Sequence, residues 1–326
     1  MKQVITQIFF LILFLGSAIA QPIQEQHVFI DTDCGTDDLI AIDLLLNTDK
    51  INIVGVSCVH GLTRPDEGAR IIRRLFNSYG LTDVPIYRGK GKAMLPTHPF
   101  PKQWRKEALQ TGYDVTPPTS KMNISAFNAN EILSLFKKKN MLLLTLGPLT
   151  NIAELITEDE KNILKSIKTI IMGGAINENG NLTAGEVFKS ENKTSEWNFY
   201  SDPLAAKQTL NYIDEIVLVP LDATSKVKID SNYLIKENWR HRKKNPSWKV
   251  IKKMEKTIKE GNFYAWDPLA AAYLIDHKVL SLTEGAIKVS LKKNERGSTI
   301  LTDKGKMIKY AKKGNKTRFD EVMLQN

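Results

Sequence analysis

The sequence predicts an α/β chain: a doubly wound, mostly parallel central sheet with helices on both faces and any active site at the C-terminal ends of the strands. Three observations carry this. Short apolar runs alternate with segments of helical spacing from residue 28 to about 221. One of those runs, 141–146, is almost continuously apolar, as a strand covered on both faces must be. Strands alternating with helices build βαβ units and a parallel sheet. Finally, acidic and glycine-rich segments fall just after the apolar runs, where open parallel sheets bind ligands.

The elements follow in order. Residues 28–30 read as a first strand and 39–46 as a helix. A second strand spans 51–56, a helix 66–78 and a short third strand 84–87. Residues 91–122 are rich in proline, glycine and polar groups and read as a long loop, a feature usually tied to function. The alternation resumes with a helix at 129–138, a strand at 141–146 and a helix from 151. A strand at 167–172 stops at Gly173-Gly174, and after a second excursion come a helix at 203–210 and a strand at 215–221.

At the N-terminus, Lys2, the apolar run 8–15 and the small residues before Gln21 form the three parts of a secretory signal. Residues 1–20 are therefore expected to leave, and 21–326 to form one domain that is secreted or periplasmic, with no membrane attachment after cleavage. The formal charge of +10 is scattered in short runs such as 137–139 and 240–244. Such runs usually mark solvated faces, and they lack the aromatic interleaving of a single-strand binder, so no nucleic-acid partner is expected. Cys34 and Cys58 each follow a predicted strand; two separate buried thiols are the favoured reading over a disulfide.

The densest chemistry lies in Asp31-Thr32-Asp33-Cys34-Gly35-Thr36-Asp37-Asp38, four carboxylates in eight residues where the first strand meets a helix. Such crowding is costly unless a cation compensates, and oxygen-only ligands favour a hard one, Ca²⁺ or Mg²⁺. A haloacid-dehalogenase-type loop would carry Thr or Val where Gly35 stands. An EF-hand would need Glu where Ile42 stands.

This loop resembles the acidic signature of the inosine-uridine nucleoside hydrolases. Three further segments match in the same order: Leu146-Gly147-Pro148-Leu149-Thr150-Asn151; then Met172-Gly173-Gly174 with Gly180-Asn181, Glu196-Trp197-Asn198 and Asp202-Pro203; and Trp266-Asp267-Pro268-Leu269-Ala270. The resemblance implies calcium-dependent hydrolysis of the N-glycosidic bond of a ribonucleoside. It implies Ca²⁺ held by Asp33, Asp38, the Leu146 carbonyl and Asp267, with Asp33 as general base. It implies Asp37, Met172, Asn181, Glu196 and Asn198 on the ribose, and a homodimer or homotetramer. The segment Pro99-Phe100-Pro101-Lys102-Gln103-Trp104-Arg105 is similar to the purine-specific inosine-adenosine-guanosine branch, which sandwiches its purine between two tryptophans; Trp104 and Trp266 stand in the matching places.

Two positions depart from that pattern. Leu62 stands where the family carries Asn or Asp, and Gly35 where the purine branch carries Asn. Leucine neither donates nor accepts a hydrogen bond, which opens substrate choice to a modified or pyrimidine nucleoside, or to a non-catalytic ribosyl-ligand or calcium-binding role. His60 and His98 are the histidines close enough in sequence to serve the leaving base. Asn123, Asn181, Asn192 and Asn315 begin N-x-S/T patterns, and a glycan on Asn181 would block the ribose site, which favours a bacterial periplasmic setting.

Overall fold

The computed structural model describes residues 25–183, 188–240 and 244–325; the expected signal at 1–20 lies outside them. Among the described residues, ten strands form one sheet: β1 (Gln26–Thr32), β2 (Ile51–Cys58), β3 (Ile86–Arg88), β4 (Ser125–Ala126), β5 (Met141–Thr145), β6 (Lys168–Met172), β7 (Ile216–Val219), β8 (Leu280–Val289), β9 (Thr299–Leu301) and β10 (Lys306–Gly314). Their order is β4-β3-β2-β1-β5-β6-β7-β10-β8-β9. All pairings from β4 to β10 are parallel, and β10-β8 and β8-β9 are antiparallel.

Residue alternation explains why helices cover both faces. Val28 and Ile30 of β1 join one apolar core while Phe29 joins the other. Leu144, Ile170 and Val217 fall in the first core, and Leu143, Ile171 and Leu218 in the second. Successive strand side chains point to opposite faces, so a strand apolar at every position needs a helix layer on each side.

The order reverses at β1. From it the chain runs outward through β2, β3 and β4, then returns to lay β5 on the other flank. The crevice beyond the C-terminal ends of β1 and β5 is thus the topological switch point, where open α/β sheets bind ligands. The acidic loop leaves β1 there and Leu146 follows β5.

The structure corrects one expectation. The stretch 91–122 is not loop throughout but contains the helix Lys102–Val115. Ala108, Thr111, Gly112 and Val115 are buried at helical spacing on one side of it, a weak stripe because two of the four are Thr and Gly. Beyond residue 221 the chain also adds the helices Pro246–Lys253, Glu255–Lys259 and Trp266–Ile275 and the antiparallel edge. β8 and β10 are half-exposed and carry mixed charged and apolar residues, so no continuous apolar run announces them. Among the described residues no helix is long and apolar enough to cross a membrane.

Candidate active site

The acidic loop is shaped by its own backbone. Cys34 adopts φ +57, the left-handed region that L-residues rarely enter, and its N–H donates to Thr32 Oγ1 at 3.0 Å. This turn delivers Gly35 as the N-cap of the helix Thr36–Leu46 and places Asp37 and Asp38 in its first turn. Asp38 reaches back to accept from Gly35 N at 2.9 Å and from the Thr32 hydroxyl. Carboxylates are stabilised at a helix N-terminus, which offsets part of the cost of this crowding.

Asp33 is gripped by the segment after β2. Leu62 N donates to Asp33 Oδ2 at 2.8 Å, and the Thr63 hydroxyl to the Asp33 carbonyl at 2.7 Å. A Cβ on Gly61 would lie 1.9 Å from Asp33 Oδ2, so no other residue fits there. The departure at Leu62 therefore leaves this anchor intact, because the contact is made by the main chain. Asp267, in the first turn of the helix Trp266–Ile275, comes from the far end of the sequence. Asp37, Asp38 and Asp267 each offer an oxygen, all within 4.8 Å of one another, and Asp33 and Asp267 both hydrogen-bond Asp38. The tightest trio thus includes Asp37, expected on the sugar, while Asp33 stands at its edge, held by Leu62.

Just past β5, the Leu146 carbonyl accepts from Asn198 Nδ2 at 3.2 Å. Glu196 caps the helix Trp197–Ser201, accepting from Asn198 N at 2.8 Å, Gly174 N at 3.0 Å and Phe199 N at 3.2 Å. Asn181 accepts from Trp197 N at 3.1 Å through its side-chain oxygen. These polar groups shape one another before any ligand arrives.

All eleven residues expected in the site line one cavity of about 340 Å³: Asp33, Asp37, Asp38, Trp104, Leu146, Met172, Asn181, Glu196, Asn198, Trp266 and Asp267. Apart from Leu62, noted as a departure bearing on substrate choice, sequence reasoning assigned no role to its other walls. Leu62, Phe100, Ala108, Trp197 and Phe263 add apolar surface, with Met254, and Thr36, Glu107, Thr257 and Asn262 add polar groups. Trp197 and Phe100 lay inside the matching segments, stacked with ring centroids 4.6 Å apart. The residues from 254 to 263 carried no signal; only packing against the helix Thr36–Leu46 side of the sheet brings them in. His60 is not a wall: its Nε2 lies 2.8 Å from Thr150 Oγ1, which donates to Asp202 Oδ2 at 2.7 Å. His98 is exposed and packs on Phe188.

No lysine, arginine or histidine lines the cavity among the described residues. Five carboxylates, Asp33, Asp37, Asp38, Asp267 and Glu196, are buried there without a basic partner. Burial first, and then the charge of Asp38, push Asp33 and Asp267 well above the usual carboxylate range. Burial and Asp38 raise Asp37 to about 7, and burial raises Glu196 to about 7 despite its three backbone donors. An all-oxygen, over-acidic pocket of this kind fits a hard divalent cation, whose charge returns these groups to their ionised form. Cys34 and Cys58 lie behind it as buried free thiols.

The family model described as inosine-uridine preferring nucleoside hydrolase matches residues 28–321. Uridine nucleosidase 1 of Arabidopsis thaliana is 28% identical over 65% of this chain and 61% of its own length. The non-specific ribonucleoside hydrolase RihC of Escherichia coli is 27% identical over 64% of this chain and 65% of its own. The chain spans about three fifths of the length of the curated relatives it matches. Among solved structures, an inosine-uridine preferring nucleoside hydrolase from Bacillus anthracis superposes with a TM-score of 0.76 at 22% identity, covering 92% of this chain and 98% of that one. A purine-preferring ribonucleoside hydrolase from Gardnerella vaginalis gives 0.74 at 22% identity, over 92% and 97%. At that identity the superpositions establish the fold.

Proposed function

The chain belongs to the inosine-uridine preferring nucleoside hydrolase family, and from that premise we propose that it hydrolyses the N-glycosidic bond of purine ribonucleosides to ribose and free base, with calcium as its cofactor. The observation that carries this reading is the cavity itself: five buried carboxylates without a basic partner share its walls with Trp104, Trp266, Phe100 and Phe263. The carboxylates suit a cation and a polyhydroxylated sugar. The aromatic rings suit a flat aromatic base.

Asp33, Asp38, Asp267 and the Leu146 carbonyl would hold the cation, with Asp37 close enough to join them. When bound, the cation supplies acidity to a water molecule, making it a nucleophile near neutral pH. Asp33 acts as the base: its Oδ2 is fixed by Leu62 N while the carboxylate faces the cavity, so it can take the proton from the attacking water. The reacting sugar develops positive charge in an oxocarbenium-like transition state, and the surrounding carboxylates stabilise it. Asn181 and Asn198, preset by Trp197 N and the Leu146 carbonyl, orient the ribose hydroxyls. Glu196 acts chiefly by fixing Asn198 through the helix cap.

The leaving base needs a proton or must depart as an anion. With His60 turned to Thr150 and His98 at the surface, support for a histidine donor is lacking. Stacking on Trp104 and Trp266 supports a second route, in which the purine ring becomes basic enough to be protonated by solvent. We place the mature protein outside the cytoplasm, secreted or periplasmic, on the strength of the N-terminal signal pattern, and we expect a homodimer or homotetramer.

The test is release of reducing sugar by the purified mature chain from inosine, adenosine, guanosine, uridine and cytidine, with and without a chelator. Purine nucleosides are expected to turn over and to stop when the cation is removed, with recovery on adding calcium. Faster uridine and cytidine turnover would overturn the purine assignment. No release from any of the five would identify a ribosyl-ligand binder that keeps the fold.

A further inference from the structure

The helix Lys102–Val115 presents Trp104, Glu107 and Ala108 to the cavity. Positions i, i+3 and i+4 share one helix face, so the carboxylate of Glu107 sits one turn from the Trp104 ring. Away from the acidic cluster and the Asn181–Asn198 region, the polar side chains on the wall, besides the tryptophans, are Glu107, Thr257 and Asn262. Thr257 and Asn262 can each donate or accept, so neither discriminates between a ring N–H and a ring carbonyl. Glu107 is acceptor-only when ionised. Its Oε1 accepts from Gln103 Nε2 at 2.9 Å, and among the described residues no hydrogen bond reaches Oε2.

We infer that Glu107 is a specificity-determining residue that reads the edge of the purine and selects bases presenting adjacent N–H donors. This rests on the nucleoside-hydrolase reading and narrows it. Guanine offers a ring N–H beside an exocyclic amino group, a pair that matches the two oxygens of a carboxylate. Hypoxanthine offers one N–H. Adenine offers its amino group beside a ring lone pair that repels the carboxylate, and xanthine replaces guanine's amino group with a carbonyl.

The experiment measures kcat/KM for guanosine, inosine, adenosine and xanthosine in wild type and Glu107→Gln, with Glu107→Ala as a second variant. Glu107 is exposed and outside the acidic cluster, so both variants should melt as the wild type does. Wild type is expected to prefer guanosine over adenosine by about tenfold or more, the worth of one charge-assisted hydrogen bond. Glu107→Gln is expected to bring the two within about threefold, mainly through KM, because its amide can present either atom. A guanosine to adenosine ratio that is flat in wild type, or unchanged in both variants, overturns the inference alone. Absence of ribose release from all four overturns the hydrolase reading, and this inference with it.

Discussion

Gly35→Ala isolates the relation between the two positions where this chain departs from its family's pattern. Gly35 has φ −71 and ψ −177, a conformation any residue adopts, so the backbone carries no strain on substitution. The added Cβ would instead lie 2.7 Å from Leu62 Cδ1, 2.9 Å from Asp38 Oδ2 and 3.1 Å from Asp37 Oδ1. Leu62 is only half-buried and can turn away at some cost. Asp38 is pinned by Thr32 and by Gly35 N, so the remaining overlap falls on the carboxylates. Overpacking of this kind costs about 1–3 kcal/mol. Leu62→Ala alone should cost about 1 kcal/mol, through lost packing against the cluster of Phe100, Leu182 and Trp197. In the double variant the Leu62 contact no longer exists to be overpacked, so the two effects should fall short of additivity by about 1 kcal/mol. Guanidinium unfolding of the four proteins at a common slope reads this directly, and kcat/KM should fall about tenfold or more in Gly35→Ala because Asp37 and Asp38 are displaced. Strict additivity, or a Gly35→Ala protein within about 0.3 kcal/mol of wild type, would refute the idea that Leu62 fills the space a side chain at 35 would need.

Other outcomes follow from the same geometry. Asp37 and Glu196 sit at about 7 when no cation is present, above their unfolded values, so their protonated forms favour folding; that stability is complete below about pH 4 and is lost as pH rises through 7. Thermal melts of chelated protein should therefore weaken from pH 5 to 8, and calcium should raise Tm more at pH 8 than at pH 5; a flat chelated profile would refute this. Trp266→Ala should lower purine-nucleoside kcat/KM by roughly ten- to a hundredfold, the worth of about 1–3 kcal/mol of base stacking, with unchanged turnover counting against the sandwich. Cys34 and Cys58 are buried, and burial holds both thiols well above their ordinary range. Alkylation should be negligible in the native protein and reach two groups after denaturation without reductant; a mass lower by two hydrogens would show a bridge instead.

The fold and the acidic part of the site were legible because their causes are local. Apolar runs at 141–144 and 170–172 report strands covered on both faces, and four carboxylates at a strand-to-helix junction call for a compensating cation whatever the rest of the chain does. Asp267, Leu146 and Asn198 were placed by motif resemblance, which stands in for contacts that spacing alone does not encode. What the tertiary structure decided is of another kind. It put Asp37 into the tight trio with Asp38 and Asp267, gave Glu196 to a helix cap, and turned His60 away from the cavity to Thr150. It also made a helix of 102–115 and brought Glu107, Thr257 and Phe263 to the cavity wall. Each of those outcomes depends on which of several possible partners lies within about 3 Å. That distance is set by the packing of segments more than two hundred residues apart, as Asp267 is from Asp38, and no local pattern in the chain records it.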